Sequence, residues 1–465
     1  LRRWDPETGK ELGVTSRDQK GEVHHCAFSP DGSRLATVLH DGTLRLWDAG
    51  DGKELREWRV PTSERRVGTP EKVENFAREA ISGLVFSADG RTLWTAAANG
   101  VNRWDTATGK ELPVLPLGAD SRSASCRPSP DGRVVVVAKL GGFGGWRSRL
   151  IDGATGRTLH EFAADAHSPG GLAFAPDGRT LAVTNGRDVT LWEVASGRLR
   201  GRLPPAPPSV FSLAFSPDGR FLAMGGNGEA PLRLWDLTAE SPTGGSSWPW
   251  VRVLSLAFSP DGKRLALAGW DNTALVCDVA ALFEERPAAR LDLSRDDRER
   301  LWGDLAGAQA SRAYRAVQRL AASGPEGVAL LKDRLKELPR PDGKRIARLI
   351  KDLDSDNFEI REKASQELEG LGQLAEGPLR DALKASPSAE VRDRAERLLS
   401  RLKAEAATAP SPELVALRVV EALELNGGAE ARAVLEGLAK GAADDHMATA
   451  AKASLGRLAG RATKP

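Results

Sequence analysis

VHHCAFSPDGSRLATVLHDGTLRLWD, residues 23–48, contains most of the plan of the first part of this chain. Two runs of alternating apolar residues flank Ser29-Pro30-Asp31-Gly32, and such a pattern predicts a β-hairpin. Pro30 presets φ at the second position of a turn, Asp31 tolerates the third, and Gly32 takes the positive φ that follows. A second turn is expected at His40-Asp41-Gly42-Thr43, leading into the strand Leu44-Arg45-Leu46-Trp47-Asp48. Endings such as Thr108-Gly109-Lys110 and Thr155-Gly156-Arg157 mark a third turn, followed by a short strand like KELREWRV at 53–60.

The unit recurs. FSPDG stands at 28–32, 215–219 and 258–262, with the variants FSADG at 86–90, PSPDG at 128–132 and FAPDG at 174–178. The Asp residues of these turns lie at 31, 89, 131, 177, 218 and 261, giving steps of 58, 42, 46, 41 and 43. Each copy runs on to an apolar residue followed by an acid: Trp47-Asp48, Trp104-Asp105, Ile151-Asp152, Trp192-Glu193, Trp235-Asp236 and Cys277-Asp278. One further ending, Trp4-Asp5 with Thr8-Gly9-Lys10, stands at the front without the hairpin that should precede it. Four short strands in such a unit cannot bury both faces alone, whereas sheets stacked around an axis can.

These turns and endings, in register over residues 1–285, resemble the WD-repeat β-propeller family. The resemblance implies a hydrogen-bonded tetrad of His, Ser or Thr, Asp and Trp in each blade. Thr37, Asp41 and Trp47 match three of its members, and no His occupies the fourth place. Asn99 stands where another blade should carry Asp, and Ile151 and Cys277 replace Trp. Apolar stacking between blades is therefore expected to dominate: burying a large apolar side chain is worth ~1.5–3 kcal/mol, against ~0.5–1.5 for a typical net hydrogen bond. In this family an N-terminal strand often completes the last blade. Seven endings then imply about seven blades, the first incomplete, in a chain that is a piece of a longer protein. The alternative is an open arc whose edge is covered by helices.

Irregular segments stand out against the repeat. PTSERRVGTPEKVENFAREA, residues 61–80, is an insertion expected to project from one rim, with a helical second half. KLGGFGGWRSRLID, 139–152, is glycine-rich but lacks the GK[ST] of a phosphate loop, so a wide hairpin is expected. PPAPP, 204–208, is a stiff connector. SPTGGSSWPW, 241–250, is expected to form a turn-rich loop, its two Trp rings plugging between blades or serving as contact anchors.

Composition shifts after about Glu285 to Ala, Leu, Arg and Glu at helical spacing. The expected order is a propeller over 1–285, a linker over 286–294, helices over 295–460 and a tail over 461–465. The fold class is thus multidomain β + α. Ser294 can cap the first helix, with Asp297 as its capping-box acid. Helices are predicted at 295–306, 308–322, 325–338, 343–353, 357–371, 373–385, 389–403, 412–425, 429–439 and 446–459. Ile360, Ala364, Leu368 and Leu371 form one apolar stripe, and Val391, Ala395, Leu398 and Leu402 another. This VR-x-x-A-x-x-x-L phrasing is similar to HEAT-type helical repeats, and its pairing with the propeller looks like a recurring bacterial WD-repeat architecture. Exposed Arg–Glu pairs in such helices contribute ~0–1 kcal/mol each, so the apolar stripes should carry stability.

Sixty-six basic and 64 acidic residues leave a net charge of +2, no global reason to expect nucleic acid or an anionic membrane. Cys26, Cys126 and Cys277 form no CxxC pair, and no HExxH or GxSxG occurs, so no metal and no cofactor is expected. His24 and His25 lie on an inner strand, where a metal site would need more ligands from other blades, and His446 opens a helix. The basic clusters at 63–66 and 295–300 are interleaved with acids, which predicts solvated faces rather than specific nucleic-acid contact. No apolar stretch approaches the ~18 residues of a membrane span. The expected function is a non-catalytic scaffold for protein or peptide partners, with Arg65 and Arg66 in the insertion as contact candidates. Two alternatives stay open: a propeller enzyme or ligand sensor at the channel mouth, and a regulatory segment of a longer signalling protein. The compartment is not encoded here, with a cytoplasmic one favoured.

Overall fold

A computed structural model describes the chain except residues 1, 6–7, 9, 15–22, 40, 61–82, 88, 98–99, 116–121, 142–144, 164–170, 185–187, 204–208, 229–230, 239–240, 247–251, 272, 283–292, 339–342, 372–374, 385–387, 406–409, 442–445 and 463–465. It divides into two compact units, Leu1–Glu285 and Arg286–Pro465.

The first unit is a β-propeller. β1 (Arg2–Trp4) and β2 (Glu11–Val14) pair as a two-stranded sheet. Five four-stranded antiparallel blades follow: β3 (Val23–Phe28), β4 (Arg34–Leu39), β5 (Thr43–Asp48) and β6 (Glu54–Arg59); β7 (Gly83–Phe86), β8 (Thr92–Ala97), β9 (Gly100–Asp105) and β10 (Glu111–Leu115); β11 (Arg122–Pro128), β12 (Val134–Gly141), β13 (Gly145–Asp152) and β14 (Thr158–Ala163); β15 (Leu172–Phe174), β16 (Thr180–Thr184), β17 (Val189–Glu193) and β18 (Arg198–Leu203); β19 (Ser209–Phe215), β20 (Phe221–Asn227), β21 (Leu232–Asp236) and β22 (Ser241–Ser246). A sixth, β23 (Val253–Phe258), β24 (Arg264–Gly269) and β25 (Ala274–Asp278), has three strands and runs into a short 3-10 turn at Ala280–Leu282. The innermost strands β3, β7, β11, β15, β19 and β23 neighbour one another in chain order.

The cores lie between blades, as a sheet with two apolar faces requires. Ala36, Val38, Leu44 and Leu46 of one blade pack on Leu84, Phe86, Leu93 and Trp104 of the next. Val136, Leu150 and Phe162 meet Leu172, Leu181 and Val183 in the same way. Polar side chains join blades at the rim. The Arg56 guanidinium on β6 donates to the carbonyls of Ala107 (2.8 Å) and Thr108 (3.2 Å), Arg103 on β9 donates to Gly153 O (2.8 Å), and His160 Nε2 on β14 lies 3.2 Å from Ala195 O.

Of two irregular segments, one meets expectation and one departs from it. Residues 139–152 do form a hairpin, Gly141 pairing with Gly145 across residues 142–144. Residues 241–246, expected as loop, are instead the outermost strand β22, with Pro242 opposite Trp235 next to a register shift. An outermost strand uses only alternate backbone groups in the ladder, which tolerates both Pro and a Gly-Gly pair. Trp248 and Trp250 lie outside the described residues, as does the insertion at 61–80.

The second unit holds ten helices among the described residues: α1 (Arg295–Leu305), α2 (Ala310–Ala322), α3 (Gly324–Glu337), α4 (Gly343–Asp352), α5 (Phe358–Gly370), α6 (Glu376–Lys384), α7 (Ala389–Glu405), α8 (Pro412–Asn426), α9 (Ala429–Ala439) and α10 (His446–Ala462). Ser294 Oγ accepts from Asp297 N (3.1 Å) and donates to its carboxylate (2.6 Å), closing the expected cap of α1. Two cores form. α1–α3 with α8–α10 enclose Leu305, Val317, Leu320, Leu331, Val419 and Leu423. α4–α7 enclose Ile346, Leu353, Ala364, Leu368, Leu379, Ala395 and Leu402. In this second core α4 packs on α5 and α6 on α7, and the pairs stack with α4 against α6 and α5 against α7.

Ile360 departs from its expected stripe: it is 44% exposed, beside exposed Phe358, whose ring lies 5.8 Å from the Arg361 guanidinium. It sits in the first turn of α5, beyond the reach of the α4–α7 core. Arg418, Glu421 and Glu424 on α8 are buried rather than solvated. Arg418 donates to Leu305 O (2.8 Å) and Gly307 O (2.9 Å), satisfying carbonyls at the C-terminal end of α1. Glu424 is held by Arg457 (2.6 Å) and by Ser454 Oγ (2.7 Å).

Candidate partner-binding surface

The recurrent turns spend their polar groups on themselves. In the first, Ser29 Oγ donates to Asp31 (2.5 Å) and accepts from Arg34 N (2.9 Å), while Ser33 N donates to Asp31 (3.0 Å) and Gly32, at φ 70°, donates to Ser29 O. The Ser29 hydroxyl and the Ser33 amide and hydroxyl hold the Asp31 carboxyl down at about 2. Asp89 and Asp261 are lowered in the same way, chiefly by Ser87 and Ser259. Successive turns also touch: an added Cβ on Gly90, Gly178, Gly219 or Gly262 would meet Cδ of Pro30, Pro130, Pro176 or Pro217 from the preceding blade at 3.4–3.7 Å. In the second turn the position before Asp89 is Ala instead of Pro. These carboxylates serve the turns.

Trp47 Nε1 donates to Thr37 Oγ1 at 2.9 Å, and both side chains are buried. Asp41 accepts from Thr43 N at 2.9 Å and stands 3.8 Å from the Arg59 guanidinium, at the β4–β5 turn. The same Trp–Thr bond joins Trp104 to Thr95 (3.2 Å). Trp192 instead uses Thr190 on its own strand (3.0 Å), because Val183 stands at the position that Thr37 holds in the first full blade. These groups fasten β-strands together within a blade. Arg65 and Arg66 lie outside the described residues.

Among the described residues no group of three or more His, Cys, Asp or Glu is arranged to hold a metal ion. His25 is half-buried opposite Val38, and His24 falls at the register shift of β3. Burial pushes the Cys126 thiol up to about 12, which leaves it without nucleophilic thiolate. No described helix is long and apolar enough to cross a membrane.

Among the described residues of the first unit, Leu12, Phe28 and Leu55 are exposed singly, and the last blade exposes a group of apolar side chains. Leu254 and Val276 are exposed, and Ala257, Ala266, Ala268 and Ala274 share that exposure. At the rim that carries the β24–β25 turn, the Arg252 guanidinium stands 5.2 Å from the Phe211 ring and 5.3 Å from the Trp270 ring. Trp270 is 67% exposed. Sequence reasoning passed over this cluster, because its three members come from separate stretches, brought together by the pairing of β23 with β24 and the packing of β19 beside β23.

Residues 9–48, 199–230 and 245–278 match the family model described as WD domain, G-beta repeat. The chain is similar to a guanine nucleotide-binding protein subunit beta of Nicotiana plumbaginifolia, 31% identical over 159 residues that make up 32% of this chain and 39% of that protein. It is also similar to apoptotic protease-activating factor 1 of Homo sapiens, 28% identical over 167 residues, 36% of this chain and 13% of that protein. The chain thus spans well under half the length of these relatives.

Proposed function

We propose that this chain is a non-catalytic scaffold that engages protein or peptide partners through the propeller, with the helical unit as a second surface. The observation that carries this reading is the use made of the polar groups: turn carboxylates, blade Thr and Trp, and rim Arg residues are committed to intramolecular hydrogen bonds, while Leu254, Trp270 and Val276 are exposed on the last blade. The relatives' names describe a subunit of a larger assembly and an activator of a protease, and both suit a protein that works by contact. The paired stacking of α4–α7 supports a HEAT-like arrangement of that segment, and such stacks offer extended surfaces. The insertion with Arg65 and Arg66 is a further contact candidate, since inserted loops escape the packing demands of the blades.

The test compares the intact chain with a deletion of residues 66–78. The deletion should keep the circular dichroism and melting temperature of the parent while losing a specific partner in affinity capture. Capture profiles indistinguishable between the two would remove the insertion from the contact surface. Multiple turnover of a substrate by the purified chain would overturn the scaffold reading.

A further inference from the structure

We infer that Phe211, Arg252 and Trp270 form a docking point for an acidic peptide segment, one carrying a carboxylate beside a bulky apolar residue. The inference rests on the scaffold reading and names the chemistry of its partner. Three features of the cluster point there.

The first is construction. Phe211 belongs to β19, Arg252 directly precedes β23, and Trp270 directly follows β24, so two adjacent blades contribute. Val253 pairs with Gly269, and Trp270 N donates to Arg252 O at 3.0 Å, which fixes Arg252 and Trp270 side by side. Ladder pairing on two blades makes the cluster part of the framework.

The second is an unspent charge. Among the described residues Arg252 meets no carboxylate within ion-pair distance and donates no side-chain hydrogen bond. The acid next to Trp270 in sequence, Asp271, is committed to its own turn, accepting from Thr273 N (3.1 Å) and Thr273 Oγ1 (2.6 Å). Several other guanidinium groups of the propeller are engaged, such as Arg45 on Glu57, Arg200 on Glu193 and Arg220 on Asp236. An Arg between two rings keeps the edge of its planar fork free, and that edge matches a carboxylate in bidentate geometry.

The third is apolar surface beside the charge. Trp270 and Leu254 are both exposed, and Trp and Arg together dominate the energetics of protein interfaces. A carboxylate on Arg252 with an apolar side chain laid on Trp270 would use both. A nucleic acid would need a clustered basic face to neutralise several phosphates, and one lone guanidinium does not supply it.

A random dodecapeptide display library selected on the full chain tests this. The unaltered chain should enrich peptides with Asp or Glu next to Leu, Phe or Trp. Arg252→Gln and Trp270→Ala should each weaken binding of a synthesised winner at least tenfold, and Arg252→Lys should fall between. Both sites are at the surface, and unchanged circular dichroism confirms folding. Binding of the winner should weaken as salt rises. Acidic winners that bind Arg252→Gln undiminished would overturn this site and leave the scaffold reading standing. Basic or neutral winners, tight capture of a single-stranded oligonucleotide, or no enrichment at all would also overturn it.

Discussion

Gly32 and Gly197 separate two demands that one residue type can meet. Both sit at positive φ, 70° and 64°. A Cβ on Gly32 would meet no atom of the described residues within 4 Å, whereas one on Gly197 would overlap the His160 ring from the preceding blade. Gly32→Ala should therefore cost only backbone strain, about 1–2 kcal/mol, and Gly197→Ala clearly more, as chemical denaturation of the two variants will show. The need for positive φ was legible in the sequence; the crowding by His160 was not, because it arises between residues of different blades. Ser29 makes a second residue-scale case. Asp31 has its folded pKa depressed to about 2, so its contribution to stability is present above the ordinary carboxyl range and is lost as pH falls through 4 toward 2. Ser29→Ala removes the largest cause of that depression. The Asp31 carboxyl should then titrate closer to its ordinary value, and the acid sensitivity of the variant should shrink, both measurable by side-chain NMR titration and melts across that window. FAPDG carries Ala175 where the other turns carry Ser, apart from which the hairpin is the same. Ala175→Ser should restore the bonds to Asp177 and Thr180 and stabilise the propeller by about 0.5–1.5 kcal/mol.

Blade strands and helices were predicted well where one repeated pattern fixed both turn and face. All ten helices fall near their predicted bounds, since Pro, Gly and Ser-Asp signals stop and start them locally. What escaped was decided by tertiary context. SPTGGS offers no alternation to mark a strand, yet β21 presents it a ladder. Arg418 looks like a surface residue of ELVALRVVEALEL, yet α1 ends against it. Leaving buried carbonyls without their donor costs about 1–3 kcal/mol, so Arg418→Leu should unfold the helical unit at lower denaturant. The last blade carries the matching contrast. TLRLWD in β5 and TALVCD at the end of the last blade occupy the same register, so Leu46 and Val276 are equivalent positions. Leu46 is 2% exposed against the next blade, and Val276 is 46% exposed. Leu46→Lys should destabilise this chain by more than about 4 kcal/mol, with Val276→Lys staying within about 0.5. Equal losses would mean that the face bearing Val276 is covered.

At the scale of the whole chain, two compact units with separate cores imply two unfolding events. The composition supplies independent probes. Eleven of the 12 tryptophans precede residue 286, and Trp302 is the only one beyond it, so indole fluorescence reports the first unit. Helical ellipticity near 222 nm reports the second, because described helices of more than one turn are confined to it. The two units are held by different means. Each blade is built from strands consecutive in the chain, while one helical core joins α1–α3 to the sequence-distant α8–α10, and local contacts form faster than distant ones. Guanidinium titration of the intact chain should give fluorescence and ellipticity curves with separate midpoints. Leu46→Lys should move the fluorescence curve alone, and Arg418→Leu the ellipticity curve alone. Superimposable curves, shifted together by either substitution, would show that the two units unfold as one cooperative block.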